Sequence, residues 1–209
     1  MQRWSVVVPA KRLAAAKTRL APMTAGTPAV HAELVLALLG DTVAAALASP
    51  AVGLVLVVTD DRRAAAVVTG LGARAVDDRP GRGLNAAVEH GARIARAAGA
   101  GPLAALHSDL PALRTDELSG ALAEAADRPR SFVADTAGTG TTLLAVSAGE
   151  LDPRFGPGSA AAHTGSGAVA LTGDWPGLRR DVDTPADLAA ARHLGVGPRT
   201  TGFLSSTAR

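Results

Sequence analysis

The chain has 209 residues, of which 47% are apolar and none is cysteine. This length fits one domain with a real core, and without cysteine neither a disulfide framework nor a thiolate metal site can form. With a formal net charge of +2 and aromatic residues at 2%, the chain lacks the basic stripe and stacking platforms of a nucleic-acid binder.

The opening MQRWSVVVPAKRL holds too short an apolar run for a signal peptide before the charge at Lys11. In chain order, the pattern predicts a strand at Trp4–Val8, a helix at Pro28–Ala48, a strand at Leu54–Thr59 and a helix at Asp61–Thr69. A strand at Ala73–Val76, a helix at Leu84–Ala98, a strand at Leu103–His107 and a helix at Thr115–Ala126 follow. Ser131–Ala134 and Thr141–Val146 complete the strand candidates. The 28–48 helix carries His31, Glu33 and Asp41, so it reads as a buried helix rather than a membrane span. The cytosol is the expected location. Apolar strands alternating with helices predict an α/β domain whose mostly parallel sheet is covered on both faces. Ligands of such sheets bind outside the carboxyl ends of the strands.

Beyond Asp135 the texture changes: residues 136–168 are rich in Gly, Thr, Ser and His and are expected to form an irregular substrate loop or a lid. Thr184, Pro185 and Asp187 mark a helix start. The tail from Gly195 to residue 209 is expected to fray. No repeat or linker divides the chain, so residues 1–209 are read as one domain.

Five segments carry candidate chemistry. PAKRLAAAKTRLA follows the first strand and supplies Lys11, Lys17 and Arg19, cations suited to a triphosphate and its leaving pyrophosphate; a solvated basic helix explains them equally. LAALHSDLPAL ends a buried strand on Asp109, well placed to hold phosphate-bound Mg2+, or merely to cap a turn. LRRDVDTPADL reads as a strand presenting Asp181 and Asp183 on one face, where a cation would relieve their repulsion; an exposed edge strand is the bland alternative. In RGLNAAVEHG, Gly83 lets a backbone approach a flat ligand and Asn85 can bond a base edge, although a glycine loop and an N-cap also fit. AGTGTTLLAV and DPRFGPGSAAAH offer Thr139, Thr141 and Ser159 hydroxyls, with Gly138, Gly140, Gly156 and Gly158 exposing backbone N–H groups. A hairpin turn would use the same residues. His107 and His163 are single histidines, more often structural, and are left out of the site.

Taken together, VVVPAKRLAAAKTRLAP, GLNAA, SDLPAL, SFVADTAGTGTTLL, RFGPGSAAAH and DVDTPADLAAARHLGVGP cover nearly the whole chain. The series resembles the actinobacterial phosphoenolpyruvate guanylyltransferases, relatives of the archaeal 2-phospho-L-lactate guanylyltransferases in biosynthesis of the deazaflavin coenzyme F-420. The resemblance implies a Rossmann-like nucleotidyltransferase fold and a reaction of GTP with phosphoenolpyruvate that releases pyrophosphate. By that likeness Thr141, Gly156 and Ser159 hold the acceptor, while Asp109 and Asp181, with Asp183 nearby, hold Mg2+. Lys17 matches a phosphate-contacting loop, a role extended to Lys11 and Arg19. Ser108 stands where relatives carry a glycine, and the first loop lacks the paired glycines of molybdopterin and sugar nucleotidyltransferases. The same chemistry on 2-phospho-L-lactate or 3-phosphoglycerate competes with this reading, as does a non-catalytic nucleotide-binding module. The partners are thus a nucleotide and a small phosphorylated acid, with no nucleic acid and no membrane. A homodimer through the 30–48 helix is open.

Overall fold

The computed structural model describes residues 2–10, 17, 19, 20, 24, 27–79 and 81–207. The elements run β1 (Trp4–Pro9), α1 (Pro28–Ala48), β2 (Val52–Val58), α2 (Arg62–Gly70), β3 (Arg74–Val76), α3 (Leu84–Ala97), β4 (Leu103–Leu106) and α4 (Thr115–Ala126). They continue with β5 (Arg130–Ala134), β6 (Thr141–Val146), α5 (Ser159–Gly165), β7 (Val169–Ala170), α6 (Pro176–Arg179), α7 (Pro185–Leu194) and α8 (Pro198–Thr207). The strands form one sheet in the order β3-β2-β1-β4-β6-β5-β7. All pairings are parallel except those of β6 with β4 and β5. The mostly parallel sheet read from the sequence is therefore present, with one antiparallel strand inserted.

Alternation along the strands splits the core between the two faces. Val6 and Val8 of β1 join Val35, Leu36 and Leu39 of α1 and Leu118 and Leu122 of α4 on one side. Val7 points the other way, onto Ala87 of α3 and Val58. Below it, Val88, Ala92 and Ala95 of α3 pack on Leu103, Ala105 and Leu144. The α3 face is built almost wholly of small residues, so this helix lies close to the sheet. A Cβ at Gly91 would stand 2.5 Å from Val7 Cγ1 and 2.8 Å from Val58 Cγ2. The composition, poor in aromatics and rich in alanine, thus finds its use in close helix–sheet approach.

The strand order also fixes where the sheet opens. From β1 the chain crosses by α1 to β2, whereas from β3 it returns by α3 to β4, on the other side of β1. The connections diverge between β1 and β4, which leaves a crevice at their carboxyl ends.

Two expectations change. The 136–168 segment is not irregular throughout: it contains β6 and α5, and residues 147–158 are its longest stretch outside helix and strand. The tail after Gly195 does not fray but forms α8 against α1. Asp41, 5% exposed in α1, accepts the N–H groups of Arg199 at 3.0 Å and Thr200 at 2.8 Å. A buried carboxylate on a helix N-terminus satisfies orphan donors and meets the positive end of the dipole, and Phe203 and Leu204 add apolar cover. Helix α1 is long and apolar enough to cross a membrane by composition, yet 67% of its apolar window is buried inside the chain. Sheet and α8 between them cover much of the face on which a second copy might have been sought.

Gly91→Ala should lower unfolding stability by about 1–3 kcal/mol, because β-branched valines leave little room to yield. Urea denaturation checks this; a variant as stable as the parent would mean that α3 moves off the sheet without penalty.

Candidate active site at the carboxyl edge of the sheet

Asp109 lies three residues beyond β4, and its backbone is held from two sides. Leu110 N–H donates to Thr42 Oγ1 at 2.9 Å, and that hydroxyl donates to Leu38 O at 2.9 Å within α1. Asp109 O accepts from Val182 N at 3.1 Å. This bond brings the 181–183 segment to the end of β4. The segment is a loop between α6 and α7, not the strand expected from its alternation. Among the described residues no strand edge pairs with it; it is extended because Val182 is buried with Leu34, Leu38, Leu188 and Ala191. That burial turns Asp181 and Asp183 away from the core on either side.

The loop is pinned at both ends. Upstream, the buried Glu117 carboxylate accepts Gly177 N at 3.0 Å and Leu178 N at 2.9 Å. Downstream, Asp187 Oδ2 accepts from Thr184 N at 2.8 Å and Thr184 Oγ1 at 2.7 Å, closing the capping box of α7.

Lys17 approaches from the segment after β1. Its ammonium bonds the Asp109 carboxylate through Oδ2 and reaches Asp183 Oδ1 at 2.5 Å. The Lys17 backbone has φ 53°, a conformation that costs a non-glycine residue on the order of 1 kcal/mol and is found most often at functional sites. Burial, followed by the neighbouring Asp183, raises the Asp181 carboxyl above its ordinary value. At Asp183 desolvation also pushes upward, but Lys17, His107 and Arg19 outweigh it and the net shift is downward. Arg19 is exposed and acts on this cluster through its charge. Lys11 lies outside the described residues.

The donors here fit a divalent cation. Atoms of His107, Asp109 and Asp181 lie within 4.8 Å of one another. Asp109 Oδ1 is buried and has no hydrogen-bond partner among the described residues, a costly state for a polar atom that a cation would relieve, and His107 Nδ1 lies 3.8 Å from it. His107 was set aside in the sequence as a single histidine. Its signal was the i, i+2 spacing to Asp109 just beyond a strand end.

A second group of residues adjoins this cluster. Nδ1 of His163, buried in α5, lies 2.9 Å from Thr141 Oγ1, and its Nε2 accepts from Arg154 N at 3.0 Å. Since a backbone N–H can only donate, Nε2 is the acceptor and Nδ1 carries the proton toward Thr141. Asn85 accepts Phe155 N on Oδ1 at 2.8 Å and donates Nδ2 to Phe155 O at 3.1 Å. Where the sequence suggested a base contact for Asn85, its amide instead clamps the 153–158 loop. The Phe155 ring lies 5.3 Å from both the His107 and His163 rings. Gly156, with φ 141°, follows in a conformation open only to glycine, and Ser159 N–H returns to Gly156 O at 3.1 Å. Thr141, Gly156 and Ser159 are thereby gathered in one place, and Gly83 (φ 98°) caps α3 beside Asn85. His163 was set aside in the sequence as a single histidine, Phe155 entered only as part of the resembling loop, and Glu117 was not singled out; their partners lie 9 to 70 positions away.

Burial, then the nearby Arg130 guanidinium, drives the His163 pKa down to about 4. In the unfolded chain it titrates near 6.5. Between these values the unfolded chain binds a proton that the folded chain refuses, so stability falls as pH drops from about 6.5 to about 4. The loss attributable to His163 is on the order of 2 kcal/mol. His107, lowered to about 4 chiefly by burial, acts in the same window, so His163→Gln should reduce rather than abolish the slope of urea-derived stability; an unchanged slope would show that the His163 ring titrates normally in the folded protein.

The comparisons with known proteins agree with this geometry. The family profile described as guanylyl transferase CofC like matches residues 4–206. A phosphoenolpyruvate guanylyltransferase of Geodermatophilus obscurus is 63% identical over 212 residues, spanning 100% of this chain and 97% of the relative. Among solved structures, a candidate nucleotide-diphospho-sugar transferase from Desulfovibrio desulfuricans G20 superposes with a TM-score of 0.75 at 17% identity, covering 100% of this chain and 96% of that one. A 4-diphosphocytidyl-2C-methyl-D-erythritol synthase gives a TM-score of 0.63 at 16% identity, covering 93% of this chain and 99% of the other. At such identities the two structures speak for the Rossmann-like nucleotidyltransferase fold alone, whereas the full-length profile match carries the family. The chain belongs to the CofC-like guanylyl transferases and is a nucleotidyl-transferring enzyme.

Proposed function

We propose that this guanylyltransferase moves GMP from GTP to phosphoenolpyruvate, releasing pyrophosphate, in biosynthesis of coenzyme F-420. The full-length likeness to phosphoenolpyruvate guanylyltransferases supports the acceptor, and the unpartnered buried Oδ1 of Asp109 beside Asp181 carries the mechanism.

A phosphate oxygen of phosphoenolpyruvate attacks the α-phosphorus of GTP; the new P–O bond forms as the α–β bridging P–O bond breaks and pyrophosphate departs. The attacking phosphate is already ionised at neutral pH, so no proton need be removed. What the protein must supply is alignment and positive charge. Lys17 and Arg19 stand beside the crevice to take the charge that develops on the leaving pyrophosphate, and Lys11 is assigned to the same phosphates. Asp109 and Asp181, with Asp183 adjoining, would hold Mg2+, which when bound neutralises phosphate oxygens. Thr141, Gly156 and Ser159 form the acceptor side. His163 keeps that side in register: it holds Thr141 and the Arg154 amide at once, and its protonated Nδ1 leaves the Thr141 hydroxyl hydrogen free to point to an anion. Gly83, exposed at the start of α3, is assigned to the nucleotide side; Asn85 serves it by fixing the neighbouring loop.

Pyrophosphate release with GTP and Mg2+, measured in parallel with phosphoenolpyruvate, 2-phospho-L-lactate and 3-phosphoglycerate, tests the proposal. Fast release only with phosphoenolpyruvate supports it; release with another acid keeps the chemistry and replaces the acceptor. Tight GTP binding without release from any acid would make the chain a nucleotide-binding module. Asp109→Asn should reduce turnover by a factor on the order of 1,000, the scale of losing one electrostatic contact made in the transition state, with far-UV circular dichroism unchanged. Near-normal turnover with Mg2+ limiting would remove Asp109 from the metal site. Ser159→Ala should raise the Michaelis constant for the acceptor more than that for GTP.

A further inference from the structure

We propose that His107 is itself a ligand of the metal centre, and that its imidazole gives this chain's site a preference for Mn2+ over Mg2+. The inference rests on the metal-site reading of Asp109 and Asp181 above, and it adds a nitrogen donor to that oxygen set.

The contrast between His163, fully buried, and the half-buried His107 carries the argument. A histidine with a structural role satisfies both ring nitrogens. His163 does so, with Thr141 Oγ1 on one nitrogen and Arg154 N–H on the other. His107 differs: Nδ1, the candidate donor, faces Asp109 Oδ1 at 3.8 Å, too long for a hydrogen bond, and Nε2 has no hydrogen-bond partner among the described residues. That same Oδ1 is the carboxylate oxygen left without a partner, in a residue only 5% exposed. Lys17 takes the other oxygen, Oδ2. The two sides of the Asp109 carboxylate are thus divided, an ammonium on one and an imidazole with Asp181 on the other.

Distances suit a shared ion. Metal–nitrogen and metal–oxygen bonds of about 2.1 Å place adjacent donors about 3 Å apart and opposite donors about 4.2 Å apart. The 3.8 Å between Nδ1 and Oδ1, and the 4.8 Å limit that encloses all three donors, close to these values with small side-chain movement. The ring is also held in place. The His107 amide donates to Thr142 O at 2.9 Å, extending the β4–β6 ladder, and the Phe155 ring packs at 5.3 Å.

The donor set then decides the ion. Mg2+ is hard, prefers carboxylate and water, and gives up its water reluctantly. Mn2+ accepts the same carboxylates and also binds imidazole. Replacing one water by a preplaced imidazole therefore strengthens Mn2+ binding far more than Mg2+ binding.

The test uses the full chain. Mn2+ binding is followed by loss of the free aqueous Mn2+ electron paramagnetic resonance signal, and Mg2+ affinity by competition, each with and without GTP. The parent chain should bind Mn2+ at least ten times more tightly than Mg2+. His107→Ala should weaken Mn2+ binding about ten-fold and leave Mg2+ within about two-fold, in the range that ligand-shell changes produce. Pulsed resonance on the unaltered Mn2+-loaded chain should display nitrogen modulation from a bound imidazole, a readout independent of how the variant folds. No modulation, or an unchanged Mn2+ to Mg2+ ratio in a folded His107→Ala, overturns the assignment while leaving the carboxylate site standing. If the parent binds neither ion, or Asp109→Asn binds both as the parent does, the metal-site reading itself fails.

Discussion

Three carboxylates and one lysine are held together where β1 and β4 end, and the rest of the fold is arranged around that repulsion. Like charges a few ångströms apart destabilise one another by kilocalories even at a moderate effective dielectric. Burial first, and the neighbouring Asp183 second, raise the Asp181 carboxyl above its ordinary value. Left to itself, the 181–183 loop would move into water. It stays because Val182 is fully buried in the α1–α7 cluster and because Glu117 and Asp187 fix the backbone on either side. Apolar burial and helix capping thus keep acidic groups where a phosphate-bound cation can use them.

The neighbouring group of Thr141, Gly156 and Ser159 obeys a different constraint: a loop with little regular structure must keep its shape. Residues 153–158 contain two prolines and two glycines and lie outside helix and strand. Three distant groups make up for this. Asn85 from α3 binds both backbone polar groups of Phe155, His163 from α5 accepts the Arg154 amide, and the Phe155 ring sits between two imidazoles. The result is a loop welded to the sheet edge rather than a lid free to swing. Preorganisation of this kind matters in phosphoryl transfer, where alignment and charge do most of the catalytic work.

Both sides depend on how closely α3 and α1 approach the sheet. Gly91 and the alanines of α3 set the first distance, which in turn decides whether Asn85 reaches Phe155. On the opposite face Thr42 of α1 reaches the backbone beyond β4 and holds Asp109. A chain with so few aromatics has no large side chains to absorb misfit, so its polar reach is set by small-residue packing.

What the sequence determined by itself is what depends on neighbours in the chain. Hydrophobic periodicity gave α1 and α4 the same bounds as in the structure, Thr184 and Pro185 marked the start of α7, and strand-end position marked Asp109. Tertiary structure alone decided which polar atoms find partners, because that accounting is not local. Nothing near His107 or His163 in sequence distinguishes a ring left unsatisfied beside the carboxylate cluster from one bonded on both sides. Asn85 was read as a possible ligand contact, and only the structure shows Phe155, 70 positions away, bonded to both ends of its amide. Asp181 and Asp183 alternated as on a strand, yet among the described residues no neighbouring edge pairs with them, and a buried valine extends them instead. The last helix appeared only through Asp41, 158 positions from the first amide it caps. A segment of modest intrinsic propensity becomes a helix when a buried carboxylate from elsewhere receives its free N–H groups.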